Sequence, residues 1–224
     1  MKRLSIAIDG PAGAGKSSVS KIFARSMGYT YLDTGAMYRA ITYEALRRHL
    51  TEEEAIAKMA ASLTMTVAPG EGGMRVFLDG EEVTPFLRTA EVSSHVSAVS
   101  AIPAVRDVLT VLQRKLSAQG GTVLDGRDIG TVVLPHADVK IFLTASPRVR
   151  AIRRYKDMKE TNPDVTVDSI EADIRRRDML DSTRKTAPLK PAKDAVFLDN
   201  SSMTLEETAE KIMDICREKA GKEE

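Results

Sequence analysis

The 224-residue sequence predicts an α/β fold in which helices cover both faces of a parallel sheet. Short apolar runs at 4–8, 122–124 and 139–143 alternate with longer segments whose apolar residues recur at helical spacing. A glycine-rich stretch at 10–15 also separates the first apolar run from the first helical pattern. Strands that alternate with helices are typical of parallel sheets, because the crossover helices bury both faces.

The first half of the chain contains two of these strands, several helices and a small β region. In order, we predict a strand at 4–8, a helix from Val19 to Met27 that ends at Gly28, a strand at 29–32, and helices at 36–50 and 52–63. Two more strand-like runs follow, and the pair Asp79-Gly80 after the second run is a hairpin signal. Residues 64–87 are therefore predicted to form a small β insert.

The second half continues the alternation. In order, we predict helices at 92–100 and from Pro103 to Leu116, strands at 122–124, 139–143 and 195–198, and a C-terminal helix. Ser146 and Pro147 begin an arginine-rich helix, since Ser is a preferred cap and Pro suits the first turn. Asp168 and Glu171 resemble a capping box, so a second arginine-rich helix is expected to begin there.

The composition narrows the possible functions. Lys and Arg number 33 against 32 Asp and Glu, a net charge of +1, whereas a dedicated nucleic-acid binder usually has a strong basic excess. A single Cys excludes a disulfide framework, and the three His residues lie far apart, without the spacing of metal ligands. No apolar run approaches the roughly eighteen residues of a membrane span. We therefore expect a soluble cytoplasmic protein that binds neither a membrane nor nucleic acid.

Residues 10–17 read GPAGAGKS and fit the phosphate-binding pattern G-x-x-x-x-G-K-[ST]. Its glycines let backbone N–H groups turn inward around phosphate oxygens, and the N-terminus of the next helix adds a positive dipole. In this pattern Lys16 reaches the β- and γ-phosphates, and the Ser17 hydroxyl is a ligand of Mg²⁺. The residues expected to bind a nucleoside triphosphate are Gly10, Pro11, Ala12, Gly13, Ala14, Gly15, Lys16, Ser17 and Ser18.

Among the proteins that carry such a loop, the sequence favours a phosphotransferase. It has no N-K-x-D segment, which a switch GTPase needs to bind guanine, and it is short for a motor or a helicase. A hydroxyl acceptor would need a carboxylate base, whereas a phosphate acceptor is already an oxyanion and needs arginines. Arg39 and Arg127 both follow predicted strand ends, where α/β sheets bind their ligands.

Two further arginine clusters lie at 148–154 and 175–177, and Arg184 follows them. Arginines at helical spacing usually lie on a solvated face, and for the cluster at 148–154 this alternative and a phosphate-binding role are equally open. Residues 146–193 carry 13 basic and 8 acidic side chains, net +5, while the rest of the chain carries a net charge of −4. A locally positive segment beside a more acidic body suits a small polyphosphate ligand.

Five segments together resemble the bacterial cytidylate kinase family: DGPAGAGKSS from Asp9, LDTGAMYR from Leu32, PAVR from Pro103, DGRDIGTV from Asp125 and RDMLDSTRKTAPL from Arg177. The resemblance covers nearly the whole chain, in order. The glycine-rich loop is common to many families, but DGRDIGT combined with the later R-D-x-x-D-x-x-R run is much more specific.

The resemblance implies a three-layer P-loop NTPase fold with a core at 1–35, 101–145 and 194–220. A region at 36–100 that contains the β insert would bind the acceptor nucleotide, and a helical lid at 146–193 would close over the phosphates. The donor would be ATP, the cofactor Mg²⁺ and the acceptors CMP and dCMP. The family also implies a monomer.

The resemblance carries residue roles as well. In the acceptor site, Thr34, Ser97 and Arg106 would lie at the cytosine, Arg39, Arg127 and Arg184 at the phosphates, and Arg177 with Asp181 at the ribose hydroxyls, while Asp128 would orient the arginines. The catalytic groups would be Lys16, Arg127, Arg154 and Arg184. The loop ends in Lys-Ser-Ser where some relatives have Lys-Gly-Thr, and either form leaves a hydroxyl near Mg²⁺.

Two alternatives stay open at this point. Another small P-loop kinase, such as an adenylate or shikimate kinase, would use the same loop with a different acceptor. A nucleotide-gated RNA-binding module would use the arginine-rich helices instead. Aromatic residues make up only 4% of the chain and Trp is absent, so side chains on which bases could stack are scarce.

Overall fold

Five parallel strands form the central sheet of the protein, in a computed structural model that describes residues 3–160 and 162–220. Numbered along the chain, they are β1 (Ser5–Asp9), β2 (Thr30–Asp33), β6 (Thr122–Gly126), β7 (Val139–Thr144) and β8 (Val196–Asp199). Their order across the sheet is β2-β6-β1-β7-β8, and every neighbouring pair is parallel. The predicted parallel sheet is confirmed.

Helices cover both faces of this sheet. They are α1 (Lys16–Met27), α2 (Thr34–Arg47), α3 (Glu53–Ser62), α4 (Ala90–Val99), α5 (Pro103–Ser117), α6 (Pro147–Met158), α7 (Val167–Thr183) and α8 (Leu205–Ala220). Ile6 and Ile8 of β1 share one core with α1 and α8, whereas Ala7 between them belongs to the core that includes α2 and α5. This alternation is the two-residue period of a strand that is buried on both faces.

Among the described residues, no single helix is long and apolar enough to cross a membrane. Taken together, α4 and α5 would be long and apolar enough by length and composition only, and the chain bends by 99° between them.

The strand register brings several carboxylates to one edge of the sheet. Asp33 at the end of β2 lies opposite Asp125 of β6, and Asp9 at the end of β1 lies opposite Gly126. Parallel sheets bind their ligands at this edge, because all of their strands end there. The glycine-rich loop starts immediately after Asp9 and therefore lies at the same edge.

The predicted β insert is a small antiparallel sheet. Its strands are β3 (Met65–Gly70), β4 (Gly73–Leu78) and β5 (Glu81–Glu82), in that order. Asp79 and Gly80 connect the last two strands with φ angles of 48° and 88°, the positive values that a two-residue hairpin turn needs at both positions.

Helices α6 and α7 make up most of the predicted lid. Ser146 caps α6 as predicted, since its side chain accepts a hydrogen bond from a backbone N–H three residues further on. The start predicted for α7 is wrong, because Thr166 is the cap and forms a capping box with Ser169. The Asp168 carboxylate pairs instead with Arg148 of α6, a contact between helices that no local pattern reveals.

The chain after β6 also differs from its prediction. The strand runs two residues beyond its expected end, and the residues that follow it lead into a π-helical turn at Ile129–Val133. The buried Asp9 carboxylate accepts hydrogen bonds from the backbone N–H groups of Ile129 and Gly130, each at 2.7 Å. Asp9 thereby fixes this turn, and the arginine and aspartate that precede it, to the central strand.

The backbone at Gly10 predicts a large stability effect. Its φ is +152°, and a Cβ there would lie 1.9 Å from the carbonyl oxygen of Leu143 in β7, whereas Gly28 has a φ of +63° and open space around its Cβ position. We expect Gly28→Ala to lower the free energy of unfolding by about 1–2 kcal/mol, from left-handed strain alone. Gly10→Ala should lower the free energy of unfolding clearly more, because β7 is paired with β1 and β8 and cannot easily move away from the added Cβ. Urea unfolding of both variants measures this, and equal losses would show that β7 moves aside.

The burial of Asp9 predicts a pH dependence of stability. Burial raises its pKa from 3.8 to about 6, despite the two backbone hydrogen bonds that oppose this shift. The folded protein therefore binds this proton at a higher pH than the unfolded chain does, and the carboxyl adds stability as the pH falls from about 6 towards about 4. Relative to Asp9→Asn, the free energy of unfolding of the wild type should rise by about 2 kcal/mol between pH ~7 and pH ~4. Urea titrations of both proteins at the two pH values test this, and a constant difference would contradict it.

Candidate active site

The glycine-rich loop connects β1 to α1, which begins at Lys16. The buried Lys16 Nζ donates hydrogen bonds to the carbonyl oxygens of Gly10 and Pro11, both at 2.8 Å. Burial lowers the pKa of Lys16, the charge of Arg127 lowers it further, and nearby carboxylates, Asp125 first, oppose both effects. The ammonium group predicted to bind phosphates therefore lies inside the loop, close to a second cation.

Ser17 lies beside a carboxylate to which the sequence analysis assigned no role. Its Oγ donates to Asp125 Oδ2 at 2.8 Å, and the Tyr31 hydroxyl donates to Oδ1 of the same carboxylate, also at 2.8 Å. Burial, followed by the charge of Asp33, raises the pKa of Asp125 to about 6. A usable signal was present in the sequence, because Asp125 opens the DGRD motif at the end of a buried strand.

Asp128 joins two arginines of the predicted acceptor site. Its Oδ2 accepts a hydrogen bond from Arg106, and its Oδ1 lies 3.6 Å from Nη2 of Arg184, within ion-pair distance but too far for a hydrogen bond. Arg106 also donates to the carbonyl oxygen of Ser100 at 2.9 Å, and its guanidinium lies 5.2 Å from the centre of the Tyr38 ring. Asp128 thus contacts Arg106 and Arg184, whereas Arg127 pairs with Asp181, and the orienting role of Asp128 stays a prediction.

Three arginines from different elements approach one another near the loop, and we call Arg39, Arg127 and Arg177 the arginine cluster. Arg127 Nε donates to Asp181 Oδ2 at 2.8 Å. The Nε atoms of Arg39 and Arg177 are buried and have no hydrogen-bond partner within the described residues. Burial, and then the charges of Arg127 and Arg39, lower the pKa of Arg177 to about 10. Unpaired donors among like charges form a site for an anion with several oxygens.

The arginines of α6 have different surroundings, which bears on the alternative that the sequence left open. Arg148 is exposed and pairs with acidic side chains of α7, whereas Arg150 is buried and Arg153 is half-buried. Arg154 is half-buried and makes no hydrogen bond or ion pair within residues 3–160 and 162–220. The pKa of Arg177 is lowered mainly by burial, and the charge of Arg154 adds a smaller effect in the same direction. Of these four side chains, Arg154 is therefore the one free to meet a ligand.

Asn200, which the sequence analysis missed, holds the glycine-rich loop from another side. Its buried side chain donates from Nδ2 to the carbonyl oxygen of Ala14 at 3.1 Å. Arg153 Nη2 in turn donates to the backbone oxygen of Asn200 at 2.7 Å. The contact between Asn200 and Ala14 joins positions 186 residues apart, so no local pattern could have revealed it.

Thr34 and Ser97 are the hydroxyls expected on the cytosine side. Thr34 begins α2, and its Oγ1 donates to the carbonyl oxygen of Asp125 at 2.7 Å, which fixes it to the ligand-binding edge of the sheet. Ser97 is half-buried on α4, and within the described residues its hydroxyl makes no hydrogen bond. The structure thus brings Thr34 next to Asp125 and leaves the Ser97 hydroxyl available.

A cavity of about 380 Å³ lies between α1, the start of α2 and the turn of the β insert. Ser17, Asp33, Arg39 and Arg88 are among its lining residues, and Arg88 pairs with Asp33 at 3.3 Å. Cavities of this size hold small-molecule ligands. The serine of the phosphate loop and one member of the arginine cluster therefore border on the same cavity.

Comparison with known proteins agrees with these features. The family model described as cytidylate kinase matches residues 6–218. A cytidylate kinase from Ligilactobacillus salivarius is 48% identical over 221 residues, which are 98% of this chain and 99% of that protein. One from Bacillus licheniformis is 49% identical over 225 residues, 99% of each chain. A solved structure of an uncharacterized protein from Eubacterium ventriosum covers 95% of this chain and 97% of its own, with a TM-score of 0.51 at 11% identity, and shows likeness of fold alone. The chain belongs to the cytidylate kinase family.

Proposed function

We propose that the protein transfers the γ-phosphoryl group of ATP to CMP and dCMP, forming ADP and CDP or dCDP. The observation that carries this proposal is the position of the arginine cluster beside the phosphate loop, with the Nε atoms of Arg39 and Arg177 unpaired among the described residues. A triphosphate on the loop and a monophosphate among the arginines would bring the two reacting groups together. Membership of the family and the names of its relatives support cytidine nucleotides as acceptors.

The proposed reaction uses no general base. The acceptor phosphate is already an oxyanion near neutral pH, so catalysis is positioning and charge neutralisation. Two carboxylates among the arginines, Asp128 and Asp181, are held in ion pairs with Arg106 and Arg127. They therefore position arginines rather than accept protons.

The phosphates would be held by the loop, Lys16 and surrounding arginines. Lys16 would exchange its two loop carbonyl partners for oxygens of the β- and γ-phosphates. Arg39, Arg127 and Arg184 would bind the acceptor phosphate, where planar guanidinium groups match phosphate oxygens. Arg154, which has no hydrogen-bond or ion-pair partner among the described residues, would neutralise the charge that develops on the transferred phosphoryl group.

The nucleoside would lie between α2, α4, α5 and α7. Arg106 and Ser97 would bind the edge of the cytosine ring, and Thr34 would lie close to it. The hydroxyls of the ribose would contact Arg177 and Asp181 on α7. A ligand hydroxyl or phosphate oxygen there would also satisfy the buried Nε of Arg177.

Mg²⁺ would complete the donor site. Such sites usually hold Mg²⁺ through one or two protein oxygens together with phosphates and water, and the Ser17 hydroxyl and the Asp125 carboxylate, 2.8 Å apart, are oxygens of that kind. The ion would neutralise charge on the β- and γ-phosphates. Ser17 would be its ligand from the loop, and Asp125 would hold the Ser17 hydroxyl in place.

The lid at 146–193 would close over the bound nucleotides and exclude water, which otherwise would hydrolyse ATP. The core at 1–35, 101–145 and 194–220 and the acceptor region at 36–100 would form the rest of one domain. We further propose that the enzyme acts as a monomer in the cytoplasm.

An acceptor panel tests the proposed reaction. Release of ADP from ATP is measured with CMP, dCMP, UMP, AMP and shikimate under one set of conditions. We expect CMP and dCMP to be turned over fastest, because the site offers donors for both a phosphate and a cytosine ring. Good turnover of AMP or shikimate with none of CMP would overturn the assignment as a CMP kinase. In a separate titration with RNA, tight binding with a steep salt dependence would favour the nucleotide-gated RNA-binding module.

Two substitutions separate the predicted donor and acceptor sites. Lys16→Ala should lower kcat at least about 100-fold and leave the Kd of CMP nearly unchanged, because Lys16 acts on the triphosphate. Arg127→Ala should weaken CMP binding or the chemical step about 10- to 100-fold and spare ATP binding, because it removes charged hydrogen bonds to the acceptor. Calorimetric titration with each nucleotide and steady-state rates give these values. Normal turnover by Lys16→Ala, or collapse of ATP affinity in Arg127→Ala, would contradict the assigned roles.

A further inference from the structure

Arg150 of α6 makes contacts that neither the proposed reaction nor the sequence pattern uses. It is 3% exposed, among the most buried charged residues described. Its Nε donates to the carbonyl oxygen of Ala145 at 2.8 Å and its Nη1 to that of Ala12 at 2.9 Å. Its Nη2 lies 2.7 Å from Oδ2 of Asp178 on α7. One guanidinium thus joins the end of β7, the phosphate loop and the lid.

The bond to Ala12 has a consequence for the loop. In a trans peptide the C=O and the following N–H point in opposite directions. Because Arg150 holds the Ala12 carbonyl oxygen, the N–H of Gly13 is directed away from Arg150. Gly13 and Arg150 are neighbours, since a Cβ on Gly13 would lie 3.4 Å from Cβ of Arg150, an ordinary van der Waals distance. Arg150 therefore sets the orientation of one of the peptide groups that are expected to bind phosphate.

The bond to Asp178 has a consequence for the acceptor side. Asp178 follows Arg177 directly on α7 and lies three residues before Asp181, which contacts Arg127. Its other oxygen, Oδ1, is buried without a hydrogen-bond partner in the described part of the chain, so Arg150 is what holds this carboxylate. Any shift of Asp178 relative to Arg150 would also move Arg177 and Asp181.

We propose that Arg150 and Asp178 are a positioning pair that couples the donor and acceptor sites. A triphosphate that orders the loop also fixes Arg150, through its bond to Ala12. Arg150 in turn fixes α7 through Asp178, and α7 carries Arg177 and Asp181 to the acceptor. By thermodynamic reciprocity, each nucleotide then raises the affinity for the other by the same factor. This inference rests on the proposed function, because it takes a triphosphate and CMP as the two ligands.

The chain supplies a matched control for this pair. Arg148 lies on the same helix and also bonds across to α7, through Asp168 and through Glu171 at 3.3 Å. It is exposed, and its described partners do not include the phosphate loop. Arg148→Ala therefore removes a link between α6 and α7 without touching the loop.

The test measures the Kd of CMP by calorimetry with and without a non-hydrolysable ATP analogue. We expect the analogue to tighten CMP binding by the wild type and by Arg148→Ala at least about fivefold. In Asp178→Asn the factor by which the analogue tightens CMP binding should fall towards one, and kcat should be about 10- to 100-fold lower. The Kd of CMP alone should stay within about threefold of the wild-type value, since Arg177 and Asp181 are retained.

Each outcome decides the question. The positioning role would be overturned if the ATP analogue left the Kd of CMP unchanged in the wild type, or tightened CMP binding by Asp178→Asn as much as by the wild type. It would also be overturned if Arg148→Ala lost this effect of the analogue to the same extent as Asp178→Asn. If Asp178→Asn does not fold, Arg150→Lys decides instead, because a lysine keeps the charge but cannot hold all three partners in a planar fork. Failure of the proposed function is a different result, in which the wild type neither binds nor phosphorylates CMP.

Discussion

Burial of several positive charges at one edge of the sheet is the interaction on which the site depends. Lys16, Arg39, Arg127 and Arg177 come from different elements and meet where the strands end. Burial is the first cause that lowers the pKa of Lys16 and Arg177, and mutual repulsion adds to it. Such a cluster costs free energy without a counter-ion, so an anion with several oxygens is the ligand that stabilises it.

The buried carboxylates hold different parts of the site in place. Asp9 bonds backbone N–H groups and so fixes the turn that follows β6, while Asp125 holds the hydroxyl of the loop serine. Asp128 and Asp181 bond arginines directly. These ion pairs neutralise part of the positive charge, but the Nε atoms of Arg39 and Arg177 keep no partner among the described residues. The carboxylates thereby shape the site, and the unpaired donors are where we expect phosphate to bind.

Local features of the sequence predicted most of the fold and part of the site. The strands, the glycine-rich loop and the β insert follow from patterns within a few residues, and their positions agree with the structure apart from their ends. Asn200 and Arg150 received no role, because each acts on a part of the chain more than 100 residues away. Asp125 received none either, although its position at the start of the DGRD motif was a usable signal. The start of α7 was predicted wrongly for a related reason, since Asp168 is attracted by a neighbouring helix.

The loop itself shows why these distant contacts matter for phosphate binding. Its carbonyl oxygens accept hydrogen bonds from side chains outside it, Ala12 from Arg150 and Ala14 from Asn200. Since the C=O and N–H of a trans peptide point in opposite directions, groups that hold the carbonyls on one side direct N–H groups to the other. Lys16 differs, because its carbonyl partners belong to the loop it would serve, and phosphate oxygens can replace them without leaving the ammonium unpaired. Arg150 and Asn200 thus orient the loop from outside, while Lys16 holds it from inside through carbonyl oxygens that phosphate oxygens are expected to replace.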